Sequence, residues 1–359
     1  MMDESLSLLD QLRATERRAA LGTLVAAKGT TPKKEGAKVW VGEGGRIHGS
    51  VTIGGCVDAR VVQEAEAVLA SRTPRLISLS LGDEDAWEIG LTCGGAVDVL
   101  VEPVDLLADD DPVVASYAVV RAESRAGRAA VVVARLDGRA GRLVVLEDGT
   151  RVGTLDASSL DDAAAARARD LLRLGVSKVE TVAGSDESVP LFFEHHGPPG
   201  TLVIVGATQV AMTLTLLARE LGYRTIVIDG RERLATRERF PQADELLIGM
   251  PSELAAEIAP SPTTAFVLVA HDYKYELPVL RHVLRREAGY VGMLGSSRRG
   301  AAVKALLAEE GFTQEELERI HTPIGLDIGA QSASEIALSI LGEVVCAWRR
   351  QPMSTPVAS

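Results

Sequence analysis

The segment TLVIVGATQVAMTLTLLARELGYRTIVID (201–229) decides the fold of the C-terminal half. A short apolar strand turns at Gly206 into a helical run, and the chain then returns to a second apolar strand that ends at Asp229. The alternation continues through DELLIG, TAFVLVA and GYVGML. Continuously apolar strands separated by helices are typical of a parallel sheet that is buried on both faces. We therefore predict a Rossmann-like, doubly wound α/β domain.

The turn after the first strand departs from the dinucleotide-binding fingerprint. The pattern G-x-G-x-x-G requires a second glycine so that the backbone can approach a pyrophosphate. The chain has Gly206, Thr208 and Ala211 at the three positions, and Thr208 is β-branched. The helix start can still bind an anion, and Asp229 stands where an acidic residue contacts a ribose hydroxyl. NAD(P) binding therefore stays open here, beside a nucleotide fold whose nucleotide site is altered.

Two later loops carry further candidate ligand contacts. Ligands of open α/β sheets bind at the carboxyl ends of the strands, where His271 and Asp272 follow TAFVLVA. After GYVGML, Ser296, Arg298 and Arg299 would hold a phosphate or carboxylate. Helix capping is the structural alternative for the short polar residues. A metal phosphohydrolase built on the His-Asp pair is a weaker alternative, because the sequence offers no further ligands beside it.

The N-terminal half predicts an amphipathic helix and then short strands broken by glycine, with one inserted helix. Its hairpin VWVGEGGRIHGS (39–50) is repeated as LVVLEDGTRVGT (143–154), and an Ala-rich helix follows each copy. We interpret this as a degenerate duplication, although glycine turns between strands are common enough for a chance match. The second copy lacks the cysteines and glycine clusters of the first.

These patterns divide the chain into four parts. DLLADDDPVV (105–114) is interpreted as a solvated linker, and the Pro/Gly-rich HHGPPG marks a domain boundary. We expect a mixed α+β domain over 1–106, a supporting repeat over 107–195, the Rossmann-like domain over 200–350 and a disordered tail over 351–359.

Three loops of the first copy carry the chemistry-bearing residues of this half. GSVTIGGCVDA and GLTCGGAVD each set a cysteine beside a Gly-Gly pair, and KGTTPKKEGAK carries two adjacent lysines. Glycines leave backbone N–H groups and sulfur open to a ligand, and an ionised thiol is a nucleophile or a soft metal ligand. A buried structural cysteine is the alternative, and it is our interpretation of Cys346. The candidate residues are Lys33, Lys34, Gly54, Gly55, Cys56, Cys93, Gly94 and Gly95.

Composition excludes several classes of protein. Apolar residues make up 46% and charged residues 25%, the balance of a globular protein with a core. The 50 acidic residues outnumber the 38 basic ones, which argues against a sequence-independent nucleic-acid binder. No apolar run approaches the ~20 residues that span a bilayer, and we expect no signal peptide. Three cysteines without C-x-x-C favour a reducing cytoplasm over a disulfide framework or zinc ribbon.

Taken together, these segments resemble the XdhC/CoxI family, the accessory factors of xanthine dehydrogenase and carbon monoxide dehydrogenase. In the N-terminal half the resemblance rests on the three loops just quoted. In the C-terminal half it rests on RFPQADE (239–245), HDYKYELPVL (271–280), YVGMLGSSRRG (290–300) and PIGLDIGAQSASEIALSIL (323–341).

The resemblance implies a binding and delivery protein for the molybdenum cofactor rather than a turnover enzyme. Family members bind the molybdopterin form, keep it for sulfuration by a cysteine desulfurase and hand it to the apo molybdenum hydroxylase. The resemblance also implies a cytoplasmic homodimer. Cys56 and Cys93 would approach the molybdenum, and the pterin phosphate would contact Lys33, Lys34, Arg298 and Arg299. An NAD(P)-dependent oxidoreductase is the alternative function, but we expect no bound NAD(P).

Overall fold

The chain divides into two compact units, residues 1–198 and 199–359. The computed structural model describes residues 2–29, 35–52, 56–80, 95–185 and 187–350. The predicted tail therefore lies outside the described residues.

The first unit contains two antiparallel five-stranded sheets with the same topology. The first copy comprises α1 (Met2–Thr15), β1 (Arg18–Gly29), β2 (Lys38–Gly42), β3 (Ile47–Gly49), α2 (Cys56–Ser71), β4 (Arg75–Ser80) and β5 (Gly95–Asp105). The second comprises α3 (Pro112–Arg125), β6 (Ala130–Arg135), β7 (Arg142–Leu146), β8 (Arg151–Thr154), α4 (Ser158–Leu174), β9 (Lys178–Ala183) and β10 (Ser188–His196). Sheet A has the order β3-β2-β1-β5-β4, and sheet B has β8-β7-β6-β10-β9. The identical order of elements and strands confirms the predicted duplication.

One pair of glycines shows how closely the two copies agree. Gly49 and Gly153 both have positive φ, +76° and +85°. A Cβ on Gly49 would lie 2.7 Å from the carbonyl oxygen of Lys38, and one on Gly153 would lie 2.3 Å from that of Arg142. Both positions therefore require glycine for the same two reasons, backbone conformation and close approach to the neighbouring strand.

Each helix after a hairpin covers the outer face of its own sheet. Val57 and Val61 of α2 pack on sheet A, and Leu160 and Leu171 of α4 pack on sheet B. The inner faces contact each other through a smaller apolar cluster that joins Leu100 to residues of sheet B. Strands β2 and β6 are buried along their whole length, because successive side chains point to opposite faces of the sheet and both faces are covered.

The acidic segment that we predicted as a solvated linker is partly structural. Asp109 and Asp110 are exposed, as expected. Asp111 instead caps α3, since its side chain accepts hydrogen bonds from the backbone N–H groups of Val113 (2.9 Å) and Asp105 (2.9 Å). Burial raises the pKa of Asp111 although these hydrogen bonds favour the carboxylate. The linker prediction is therefore wrong for Asp111, because an Asp directly before Pro at a helix start is a strong N-cap.

The second unit is a doubly wound, all-parallel sheet, which confirms the predicted fold class. Its elements are β11 (Thr201–Val205), α5 (Gln209–Glu220), β12 (Arg224–Asp229), β13 (Glu245–Ile248), α6 (Pro251–Glu257), β14 (Thr264–Leu268), α7 (Tyr273–Val283), β15 (Tyr290–Met293), α8 (Ser297–Glu309), α9 (Gln314–Glu318), β16 (Ile320–His321) and α10 (Ala333–Arg350). The strand order is β13-β12-β11-β14-β15-β16. Helices α5 and α10 cover one face, and α7 and α8 cover the other.

The last two helices begin with capping boxes, and the final one packs into the core. Thr313 and Glu316 form a reciprocal capping box at α9. Ser332 and Glu335 exchange the same pair of hydrogen bonds at α10. Ile340 of α10 is fully buried in the core. The short strand β16 is the one element of this sheet that we did not predict.

Candidate functional site

Two of the three candidate loops of the first copy leave sheet A side by side. Gly29, the last residue of β1, pairs with Gly95, the first residue of β5. Ser80, the last residue of β4, pairs with Ala96. The connection with the two lysines follows Gly29, and the connection that holds Cys93 runs between Ser80 and Gly95. Their described ends therefore lie at one end of three adjacent strands.

The third loop also starts at this end of the sheet. Gly49, at the end of β3, pairs with Val39 near the start of β2, and β2 itself follows the lysine loop. Asp58 in the first turn of α2 accepts a hydrogen bond from Val51 N (2.8 Å) and a second from the hydroxyl of Ser50. Asp58 thus ties the entrance of the Gly-Gly-Cys loop to the helix that follows it.

Most residues that sequence analysis selected in this half lie outside the described residues. These are Lys33, Lys34, Gly54, Gly55, Cys93 and Gly94. Cys56 is the first residue of α2, and its side chain is also outside the description. Gly95 begins β5.

The second copy shows the same construction with other residues. Asp161 accepts hydrogen bonds from Leu155 N (2.7 Å) and the Thr154 hydroxyl (2.8 Å), as Asp58 does in the first copy. The first turn of α4 contacts the turn between β9 and β10, with 3.0 Å between the hydroxyls of Ser159 and Ser185. The corresponding segments of the first copy are the start of α2 at Cys56 and the connection that holds Cys93.

In the second unit, Gly206 is required for the close packing of two segments of the chain. It has φ of +115°, and a Cβ there would lie 2.5 Å from both N and Cα of Ala270. The turn after β11 therefore packs directly against the chain that leaves β14. Gly206 is needed for this close approach whether or not a ligand binds.

Asp229 is also occupied by protein groups. The residue is buried, and Oδ2 accepts hydrogen bonds from Ala207 N (2.6 Å) and Arg231 Nη2 (2.7 Å). Oδ1 accepts from Arg231 N (2.8 Å) and Nε (2.9 Å). Burial alone would raise the pKa of Asp229, but Arg231 and the backbone N–H groups hold it below its usual range. Asp229 lies at the strand end where an acidic residue would bind a ribose hydroxyl. Both of its carboxylate oxygens, however, already accept hydrogen bonds from the protein.

Three other selected side chains cap helices at the carboxyl edge of the sheet. Thr208 accepts from Ala211 N at the start of α5. Asp272 caps α7, and Ser296 caps α8. The structural alternative that we left open for Asp272 and Ser296 is therefore the role observed in the structure. Arg298 beside Ser296 is exposed.

His271 and Arg299 meet at this edge through a residue that sequence reasoning missed, Glu276. Glu276 is fully buried and accepts hydrogen bonds from His271 N (2.8 Å) and Arg299 Nη2 (2.6 Å). Arg299 Nη1 lies 3.2 Å from Nδ1 of His271 and donates to the carbonyl of Leu294 (2.8 Å). His271 itself has φ of +57°. Burial raises the pKa of Glu276, and Arg299 opposes that shift.

Glu276 could have been identified from its position four residues after a capping Asp, one turn into the helix. An acidic side chain there reaches back to the loop before the helix, as in a capping box. With Arg299 held by Glu276 and Leu294, Arg298 remains the more available guanidinium of the predicted pair.

Metal and membrane features are limited in the described part of the chain. No group of three or more His, Cys, Asp and Glu side chains is arranged there to hold a metal ion. None of the described helices combines the length and apolar character that crossing a bilayer requires. Cys346 is a half-buried free thiol on α10.

The chain thus has the architecture of a duplicated α+β unit followed by a Rossmann-like unit. The family model described as "XdhC Rossmann domain" matches residues 202–344, and the model "XdhC and CoxI family" matches residues 12–80. The chain belongs to the XdhC and CoxI family, as the sequence motifs predicted.

Similar proteins align over nearly the whole chain. A protein of Bacillus subtilis described as a probable xanthine dehydrogenase subunit is 27% identical over 94% of this chain and 96% of its own length. The molybdenum cofactor insertion chaperone PaoD of Escherichia coli is 28% identical over 91% of this chain and 82% of its own. The crystal structure of a xanthine dehydrogenase from Bacillus halodurans superimposes with a TM-score of 0.79 at 25% identity, covering 98% of both chains.

Proposed function

We propose that this protein is a maturation factor that holds the molybdenum cofactor and inserts it into a molybdenum hydroxylase. The observation that carries the proposal is that the described ends of three loops lie at one end of sheet A. The last residues of β1 and β4 are there adjacent to the start of β5, and β3 ends beside the start of β2. The similarity to a molybdenum cofactor insertion chaperone over most of both chains supports the same function.

The residue types of the three loops suit such a cargo. Cys56 and Cys93 are soft ligands for molybdenum or partners for its dithiolene, and Lys33 and Lys34 supply positive charge for the pterin phosphate. The contact between Ser159 and Ser185 in the second copy supports the proposal that the two cysteine loops are neighbours in the first.

The Rossmann-like unit takes a secondary part in this proposal. Arg298 is exposed at the start of α8 and is the candidate for an anionic group of the cargo. The full proposal includes a cytoplasmic homodimer, sulfuration of the held cofactor by a cysteine desulfurase and delivery to an apo molybdenum hydroxylase. An NAD(P)-dependent oxidoreductase remains the competing function.

Cofactor content tests the proposal directly. Protein purified from a host that makes the molybdenum cofactor should contain molybdenum and pterin in equal amounts, and should transfer both to an apo-hydroxylase. Protein without either component, together with catalytic turnover of NAD(P)H, would reject this function in favour of the oxidoreductase.

A further inference from the structure

Two buried ion pairs join the inner faces of sheets A and B. Lys38 Nζ lies 2.6 Å from Oε1 of Glu194, and the guanidinium of Arg142 is paired with the carboxylate of Glu102. All four residues are less than 8% exposed. Each pair links one copy of the repeat to the other.

The two pairs are related by the internal duplication. Lys38 is the first residue of β2, and Arg142 is the first residue of β7. Glu102 and Glu194 occupy equivalent positions in β5 and β10. In the first copy, the strand partner of Glu102 lies two residues before the strand partner of Lys38. In the second copy, the strand partner of Glu194 lies two residues before the strand partner of Arg142. The basic residue of each copy therefore pairs with the acidic residue of the other, which is the reciprocal contact of a two-fold interface.

The first pair differs from the second because it also holds the chain that follows the lysine loop. Lys38 Nζ donates to the carbonyl of Gly36 (3.3 Å) as well as to Glu194. Gly36 has φ of +90°, and a Cβ there would lie 3.1 Å from Glu194 Oε1. Its N–H donates to Leu24 of β1 (2.8 Å). The carboxylate of Glu194 thus lies against the last turn before β2.

We infer that Glu194, from the second copy, is a positioning residue for cargo binding by the first copy. It fixes Gly36 and Lys38, the described residues that follow Lys33 and Lys34 in the sequence and lead into β2. This inference rests on the proposed function. It gives the second copy an indirect role in cargo binding by the first.

Because its ion pair with Lys38 is buried, the carboxylate of Glu194 strongly constrains the chain around it. Burial lowers the pKa of Lys38, and the charge of Glu194 opposes that shift. Burial would raise the pKa of Glu194, but Lys38 and His196 hold it far below its usual range. Removing one partner of a buried pair leaves the other charge uncompensated, which strongly destabilises the fold around it.

The repeat supplies a matched control for the test. Glu194→Gln and Glu102→Gln each remove one carboxylate from equivalent buried pairs, so both should lower the melting temperature. We expect Glu194→Gln alone to weaken cofactor retention by about tenfold, because a small misplacement of a binding group is costly. Amide exchange at residues 35–38 should accelerate in Glu194→Gln and not in Glu102→Gln. Equal cofactor content in the two variants would overturn the inference.

A second pair of variants covers the case in which Glu194→Gln does not fold. Gly36→Ala adds a methyl group against Glu194 and strains a positive φ, without removing a charge. Gly149→Ala imposes a similar backbone strain (φ +85°) in the second copy, with no atom within 4 Å of the new methyl. We expect reduced cofactor content only in Gly36→Ala, and equal content in both would contradict the inference.

The outcome also separates this inference from the proposed function. If the unaltered protein from a cofactor-making host carries neither molybdenum nor pterin, the proposed function fails. If it carries both while Glu194→Gln matches Glu102→Gln, the positioning role alone fails.

Discussion

Oδ2 of Asp229 accepts a hydrogen bond from the backbone N–H of Ala207 at 2.6 Å. The acid at the end of β12 is thereby bonded to the turn after β11, the turn that would hold a pyrophosphate in a dinucleotide-binding domain. Arg231 donates hydrogen bonds to the same carboxylate from its backbone N–H and its guanidinium. A ribose hydroxyl would have to displace charge-assisted hydrogen bonds of the protein, and such bonds are costly to break.

We therefore expect weak or no binding of NAD(H) and NADP(H), and no change in nicotinamide absorbance with candidate substrates. Titration calorimetry measures the binding. Thr208→Gly is a finer probe, because it removes the β-branched side chain at little cost to the helix cap. A gain in dinucleotide affinity would identify Thr208 as the obstacle. Micromolar NAD binding by the unaltered protein, with catalytic reduction, would support the oxidoreductase instead.

Gly206→Ala should strongly destabilise the second unit. The new methyl would lie 2.5 Å from the backbone of Ala270 at a positive φ, so we expect a loss of roughly 2–4 kcal/mol. Gly311→Ala is the control, since it also has positive φ (+90°) but no atom within 4 Å of the methyl. Its cost should be about 1 kcal/mol. Urea unfolding measures both, and equal losses would show that the turn moves freely away from β14.

The stability of the first unit should fall in mild acid because of His195. Burial, reinforced by the charge of His196, lowers the pKa of His195 to about 4. The unfolded chain takes up this proton near pH 6.5, so the free energy of unfolding decreases as the pH falls from about 6.5 to about 4. The loss amounts to about 3 kcal/mol. His195→Gln should flatten this part of the melting profile, and an unchanged profile would exclude His195 as its source.

Exposed side chains of the second copy should not affect cofactor content. Arg151 is paired with Asp162 on the surface, 2.6 Å apart, and such pairs contribute little to stability. Arg151→Ala should therefore leave both the melting temperature and bound molybdenum unchanged. A loss of molybdenum in folded protein would place part of the site in the second copy.

The sequence was most informative where structure is local. Apolar runs predicted the parallel strands, and the repeated hairpin predicted the duplication, because both depend on neighbouring residues. The two-residue strand β16 carries too short a pattern to be recognised. The pairing of Lys38 with Glu194 spans 156 positions and depends on how two sheets pack, which periodicity does not encode.

The candidate site was predictable only in part. Glycine and cysteine motifs selected the three loops, but their shared end of sheet A follows from strand register. Asp229 and Arg299 were selected as ligand contacts from their positions at strand ends. That the protein itself engages both side chains depends on Arg231 and Glu276, whose importance is visible only in three dimensions.

The most direct test of the central claim is the molybdenum and pterin content per chain of four proteins from a cofactor-making host. They are the unaltered protein, Cys56→Ala, Cys93→Ala and Cys346→Ala. We predict that Cys346→Ala carries as much cofactor as the unaltered protein, and that the two loop variants fold but carry far less. Full cofactor content in both loop variants would contradict the account, because the two thiols would then be structural.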